Sequence, residues 1–145
     1  MIVLTTFRFM IKASGRGLSM ASHAHHELLR IVAKPATDAV AEIALSGEID
    51  LSTTPKLDAS VDAAFRPPKP KLVLLDMSGV GFLASAGMAS LLRAREQAQG
   101  NGVLLRLCAL PTPVQRSLAL VGLDREFDIH ESVEAAKTDW VNTAP

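Results

Sequence analysis

Four consecutive apolar residues, Leu72-Val73-Leu74-Leu75, constrain this chain more than any other feature. A run of that length offers water no polar face. It reads as a strand covered on both sides, and such strands belong to mostly parallel sheets. Parallel neighbours need crossover connections, usually helices. The sequence on either side supplies them.

Upstream, Leu28 to Ala33 reads as a strand and Pro35 to Asp38 as a turn. Val40 to Ser46 alternates with period 2, a second strand, and the pair suggests a hairpin. Gly47-Glu48-Ile49-Asp50 reads as a turn. Thr54-Pro55 then gives a helix start, a hydroxyl cap followed by a proline whose missing N–H costs nothing in the first turn. Leu57, Val61, Ala64 and Phe65 share one face of that helix, and Pro67, Pro68 and Pro70 stop it. Downstream of Asp76, Met77 to Ala84 reads as a loop and a helix begins near Ser85. Gly100-Asn101-Gly102 ends the helix. Val103 to Leu107 is another strand. Thr112-Pro113 repeats the cap-plus-proline start, with Val114, Leu118 and Val121 at helical spacing and Gly122 as the stop. Phe127 and Ile129 mark a short strand whose alternation turns His130 outward. Ser132 caps a last helix bearing Val133, Ala136 and Trp140. The expected order is β-β-α-β-α-β-α-β-α. The expected fold is α/β: a mixed, mostly parallel sheet with an N-terminal hairpin and about four flanking helices.

Charge divides the chain. Residues 1–20 carry Arg8, Lys12 and Arg16 and no acid. Lys plus Arg and Asp plus Glu each total 15, so removing those three bases leaves 12 against 15, a net of −3 for the remainder. Residues 1–26 are therefore expected to be a disordered or extended tail, or an upstream extension with the natural start at Met20. Residues 27–141 form the working domain and 142–145 a C-terminal tail. His23, His25 and His26 have chelator-like spacing but read as part of the solvated tail. The overall charge balance disfavours direct nucleic-acid binding, which needs a basic surface. One cysteine excludes an intrachain disulfide and a zinc site built on several thiolates. No apolar run approaches the roughly 20 residues of a membrane span.

The segment Asp76-Met77-Ser78-Gly79-Val80-Gly81-Phe82-Leu83-Ala84-Ser85-Ala86-Gly87-Met88 carries the most information. A strand feeds small residues, and these feed a helix N-terminus. Free N–H groups and the positive dipole end lie there, so a phosphate on Ser85 would be tolerated by the fold. It would add about −1.5 to −2 charges and change what the surface binds. Taken alone, Ser85 reads as a plain N-cap. Asp76 reads equally as a plain strand end or as an acceptor for N–H groups of the following loop.

Enzymatic readings are weak. Ala84-Ser85-Ala86-Gly87 is not the Gly-x-Ser-x-Gly elbow of a hydrolase. There is no Gly-x-x-x-x-Gly-Lys loop to cradle phosphates. Nothing pairs Ser85 with His130 as nucleophile and base. Asp124, Glu126 and Asp128 read as a solvated face, and Cys108 as a buried, inert thiol. The chain is read as a non-enzyme with no cofactor and no metal.

The same segment resembles the signature of the STAS domain, found in bacterial anti-sigma factor antagonists. The matching residues are the apolar strand ending in Asp76, then Ser78, the pair Phe82-Leu83, Ala84-Ser85-Ala86, and Gly87 opening a helix. The Gly47 to Asp50 turn with its Thr-Pro helix start, Pro113 to Leu118, and Val121-Gly122-Leu123 also match in order. The resemblance implies a cytoplasmic partner-switching protein. The unmodified form binds an anti-sigma factor, often a serine kinase, and frees a sigma factor. The kinase phosphorylates the helix-start serine and the complex dissociates; a phosphatase reverses this. By position the phosphoacceptor is Ser85. The implied partner-binding residues are Asp50, Ser78, Gly79, Val80, Ala84, Ser85, Ala86, Gly87 and Met88. The family residue before the acceptor is usually acidic, and here it is Ala84; Ala86 stands where Ser or Thr is common. Two other readings stay open: a non-phosphorylated STAS scaffold or transporter accessory subunit, and a small-ligand or nucleotide-binding module.

Overall fold

A computed structural model describes residues 28–143. Five strands form one sheet in the order β1-β2-β3-β4-β5: β1 Leu29–Thr37, β2 Val40–Ile49, β3 Leu72–Leu83, β4 Leu104–Cys108 and β5 Asp128–His130. β1 pairs antiparallel to β2, and every later pair is parallel. The four α-helices are α1 Thr54–Ala64, α2 Ser85–Asn101, α3 Thr112–Leu120 and α4 Val133–Thr143. The mixed sheet, the opening hairpin and the helix count match the expected fold. The N-terminal tail reading and the His23, His25, His26 cluster lie outside the described residues, and α4 runs to Thr143, two residues into the expected C-terminal tail.

A sheet whose strands follow chain order, joined by right-handed crossovers, must place its crossover helices on one face. The core shows this. Leu57 and Val61 of α1 with Phe65 just past its end, Leu91, Ala94 and Ala98 of α2, and Val114 and Leu118 of α3 pack with Ile43, Leu45, Ile49, Val73, Leu75 and Leu83 in one cluster. Among the described residues the opposite face is covered by α4. There Val40, Leu72, Leu74 and Cys108 pack under Ala136, with Val133 and Trp140 against them. The run Leu72 to Leu75 thus alternates between the two clusters, which is why it contains no polar residue.

α4 is held down by charge as well as by apolar contact. The Arg106 side chain is only 8% exposed. Its Nε lies 2.9 Å from Asp128 Oδ2, and one terminal nitrogen lies 3.1 Å from Asp139 Oδ2 and donates to the Ala136 carbonyl at 2.8 Å. Lys137 pairs with Glu42, which Lys34 also approaches at 3.5 Å. Burial pushes the Glu42 carboxyl up, but the two lysines outweigh it and the net displacement is downward.

Three boundaries differ from the sequence expectation. The hairpin turn is at Asp38-Ala39, both in the left-handed region (φ 52° and 68°), not at Pro35 to Asp38. β1 is an edge strand, and a proline at a pairing irregularity there removes no needed donor. β2 runs on through Gly47 to Ile49 instead of turning at Gly47. The largest change is that Met77 to Leu83 is strand rather than loop. Ala44 pairs with Asp76, Ser46 with Gly79, and Glu48 with Phe82. β3 therefore carries one extra residue between Asp76 and Gly79 and another between Val80 and Phe82. Two bulges let this small-residue segment stay paired along the full length of β2.

Candidate functional site

The C-terminal ends of the parallel strands lie at one end of the sheet. There the β2–α1 turn and the β3–α2 junction meet. Ile49 pairs with Leu83, and the Ile49 carbonyl accepts the Ala84 N–H at 2.9 Å. Asp50 follows one of these residues and Ser85 the other.

The Asp50 turn is tightly bonded. One Asp50 carboxylate oxygen accepts the Ser52 N–H at 3.0 Å, the Ser52 hydroxyl at 2.8 Å and the Thr53 N–H at 3.2 Å. The Thr53 hydroxyl donates to the Glu48 carbonyl at 3.0 Å and accepts the Asp50 N–H at 2.9 Å. These bonds, the Ser52 hydroxyl foremost, hold the Asp50 carboxyl below the usual range. The expected cap was Thr54. The N-cap is Thr53 and Thr54 is already helical, with Asp50 serving the end of the turn as an Asx acceptor. Two residues into α1, Lys56 buries its stem and donates to the Leu29 carbonyl at 2.6 Å. Burial lowers its amine to about 8.

The α2 N-terminus is set against β2 by glycine. A Cβ on Gly87 would sit 2.7 Å from Ile49 Cγ2, 2.7 Å from Leu83 Cδ1 and 2.8 Å from the Ile49 carbonyl oxygen. No other residue fits that approach unless the helix moves. Further down β3, a Cβ on Gly79 would lie 2.5 Å from Ser46 Cβ. Asp76 accepts the Ser78 N–H at 3.0 Å, so its carboxylate organises the first bulge, as one of its two sequence readings held.

Ser85 was expected to cap α2. Ala84 holds that position instead, in extended conformation (φ −84°, ψ 171°), with its carbonyl accepting Met88 N–H at 3.0 Å. Ser85 is the first helical residue. Its side chain is exposed, and its hydroxyl forms no capping bond. The first turn holds no acid. The result is an exposed hydroxyl on a helix end whose N–H groups receive no side-chain acceptor.

The structure brings Asp50, Ala84, Ser85 and Ala86 to one rim. Ser78 and Gly79 are exposed but lie lower on β3, opposite Ser46. Val80 is in the main core, Gly87 is buried, and Met88 packs half-buried against that core. Val80 and Gly87 therefore shape the site from within and do not face a partner. Sequence reasoning passed over two apolar side chains at the rim, Leu51 (78% exposed) and Phe82 (50% exposed). An apolar residue at the tip of a polar Asx turn was the available signal for Leu51.

His130 lies on β5, two strands from β3, and its Nε2 contacts Asp128 Oδ1 at 2.9 Å. Its side chain is 16% exposed, so the outward orientation expected for it is wrong; Ile129 is the exposed residue of the pair. Cys108 is fully buried. Burial first, and Asp76 second, push its thiol up to about 12. Among the described residues no group of three or more His, Cys, Asp or Glu could hold a metal ion. No helix among them is long and apolar enough to cross a membrane.

The family model for the STAS domain matches residues 32–136. The chain belongs to the STAS domain family. A relative named anti-sigma-F factor antagonist RsfB, from Mycobacterium tuberculosis, is 30% identical over 99 residues, spanning 68% of this chain and 80% of the relative. The crystal structure of an anti-sigma factor antagonist from Mycobacterium paratuberculosis superposes with a TM-score of 0.68 at 27% identity, over 77% of this STAS chain and 92% of that one. A sulfate transporter family protein from Wolinella succinogenes superposes with a TM-score of 0.62 over 71% of this chain and 85% of its own, at 19% identity. At that identity the likeness is one of fold alone.

Proposed function

We propose that this chain is an anti-sigma factor antagonist. In its unmodified form it binds an anti-sigma factor and so releases a sigma factor. A serine kinase phosphorylates Ser85 and ends the binding, and a phosphatase restores it. The protein acts by binding and not by catalysis. The reading rests on one observation above all: Ser85 presents an unengaged hydroxyl on the uncapped N-terminus of α2, on the rim shared with the Asp50 turn. The names of the mycobacterial relatives support the same role.

The site accounts for both states. Without phosphate, Ser85 is flanked in the chain by the small neutral residues Ala84, Ala86 and Gly87, and a partner can approach it closely. With phosphate, α2 N–H groups and the helix dipole stabilise the new charge, so the domain keeps its fold while its surface changes. Ala84 contributes no carboxylate to the hydroxyl, so orientation of Ser85 falls to the kinase and to the fixed backbone.

The test uses the anti-sigma-F factor counterpart from this chain's own organism, with ATP. Unmodified protein should form a complex, phosphate should map to Ser85 by mass spectrometry, and the complex should dissociate as it does. Ser85→Ala should stay bound in ATP. A wild-type chain that gains no phosphate on Ser85, together with a Ser85→Asp variant that binds as wild type, would remove the switch. Failure of the unmodified chain to bind would remove the function.

A further inference from the structure

We infer that Leu51 and Phe82 are the apolar anchors of the partner interface, and that their nearness along the chain to Ser85 makes a charge there dissociative. The inference rests on the antagonist reading above and identifies which residues carry it. One hydrogen bond, Ala84 N–H to the Ile49 carbonyl, joins the two halves of the rim. Leu51 lies two residues beyond Ile49, and Phe82 two residues before Ala84. Two residues of chain span at most about 7 Å, so both backbones stay close to that bond. Ser85 is its next neighbour.

Large exposed apolar side chains need a reason when they cluster at a site. Leu51 sits at the tip of a turn fixed by the Asp50 and Thr53 hydrogen bonds, so little backbone entropy remains to be lost when it inserts into a partner. Phe82 is held in β3 opposite Glu48. Aromatic residues are enriched at the buried centre of interfaces.

Charge completes the description of the occupant. Segments 46–55 and 77–92, which form the rim and its approach, contain Glu48 and Asp50 and no Lys or Arg. The partner surface on the anti-sigma factor therefore has an apolar pocket for Leu51 and Phe82, with no acidic rim against Glu48 and Asp50. A phosphate on Ser85 would then enter the same interface as the apolar contacts and the Asp50 carboxylate. Desolvation and like-charge repulsion both oppose that arrangement. The anchors thus explain why phosphate ends binding and does not strengthen it.

The test is a binding titration with the same anti-sigma-F factor counterpart, using Leu51→Ala, Phe82→Ala, their double variant, and each combined with Ser85→Glu. Circular dichroism checks folding, which exposed substitutions should leave intact. Each single anchor variant should weaken binding at least tenfold. Ser85→Glu should weaken the wild type at least tenfold but the double anchor variant less than threefold further, because the apolar surround is gone. Wild-type binding with both anchor variants within threefold of it overturns this inference alone. An undiminished Ser85→Glu effect in the double variant overturns the link to the switch. No binding by the unmodified wild type overturns the antagonist reading and this inference together.

Discussion

Gly87→Ala should destabilise the domain and displace the switch, and the size of the effect follows from three contacts. The added methyl would stand 2.7 Å from each of two apolar carbons, on Ile49 and Leu83, and 2.8 Å from the Ile49 carbonyl oxygen. Neither carbon is at the end of a long flexible chain, and both residues are in the core. The carbonyl cannot yield without loosening its bond to Ala84. Overpacking of this kind costs about 1–3 kcal/mol. Alanine's better helix propensity returns up to about 1 kcal/mol, less in a first turn. A net loss of about 1–2 kcal/mol remains. At about 4 °C per kcal/mol for a domain of this size, the melting temperature should fall by about 4–8 °C.

Gly81 supplies the control. A Cβ there meets nothing within 4 Å. Gly81→Ala changes the unfolded chain in the same way as Gly87→Ala, so the difference between the two melting temperatures isolates the native clash. Gly79→Ala should resemble Gly87→Ala or exceed it, because its methyl would press on Ser46 across a parallel pair whose spacing is fixed at about 4.8 Å. Thermal unfolding followed by circular dichroism is sufficient. Equal melting temperatures for the Gly81 and Gly87 variants would refute the close-approach argument.

Other expectations can be checked alongside. The Asp50 carboxyl lies below its ordinary value in the folded state, so its contribution to stability is present above the unfolded pKa and is lost as pH falls through the folded one. Asp50→Asn should flatten that part of the acid unfolding curve and cost about 1 kcal/mol at neutral pH, the usual worth of such a cap; an unchanged acid limb would count against the Asx role. Asp128→Asn and Asp139→Asn should each cost about 1 kcal/mol, but together more than their sum, because Arg106 is then left buried with the Ala136 carbonyl alone. Additive values in a double-mutant cycle would contradict a shared ion network. The Lys56 amine should titrate near pH 8 by carbon-13 NMR, and stability should rise as pH climbs from there toward 10.5, since the unfolded chain then binds more protons. A midpoint near 10.5 would show that its stem is not buried as described.

The fold was legible because its strongest signals are local. Leu72 to Leu75 announces a two-sided strand, Pro67 to Pro70 closes α1, and Gly102 closes α2 in the left-handed conformation (φ 70°). Register is not local. Nothing in Met77 to Leu83 indicates that two extra residues are absorbed as bulges, because the reason lies in β2 thirty residues earlier. The Arg106 cluster was hidden for the same cause: Arg106, Asp128 and Asp139 each look like ordinary surface charge until β4, β5 and α4 bring them together.

The candidate site shows how one residue of offset changes chemistry. In all three crossovers the hydroxyl residue next to a helix start was read as the cap, and in all three it is already helical: Thr54, Ser85 and Thr112. At the first two the consequences diverge. The α1 end keeps acceptors, because Asp50 reaches back into the turn with its carboxylate. The α2 end has Ala84 as its cap, which brings no acceptor at all. A serine at the cap position would turn its hydroxyl inward, toward the N–H groups of the first turn. One position later, Ser85 leaves those N–H groups open and its own oxygen exposed. The missing acid at position 84 and the displaced serine act together: they leave both the acceptor of a phosphoryl group and the groups that would hold its charge unoccupied by the rest of the chain.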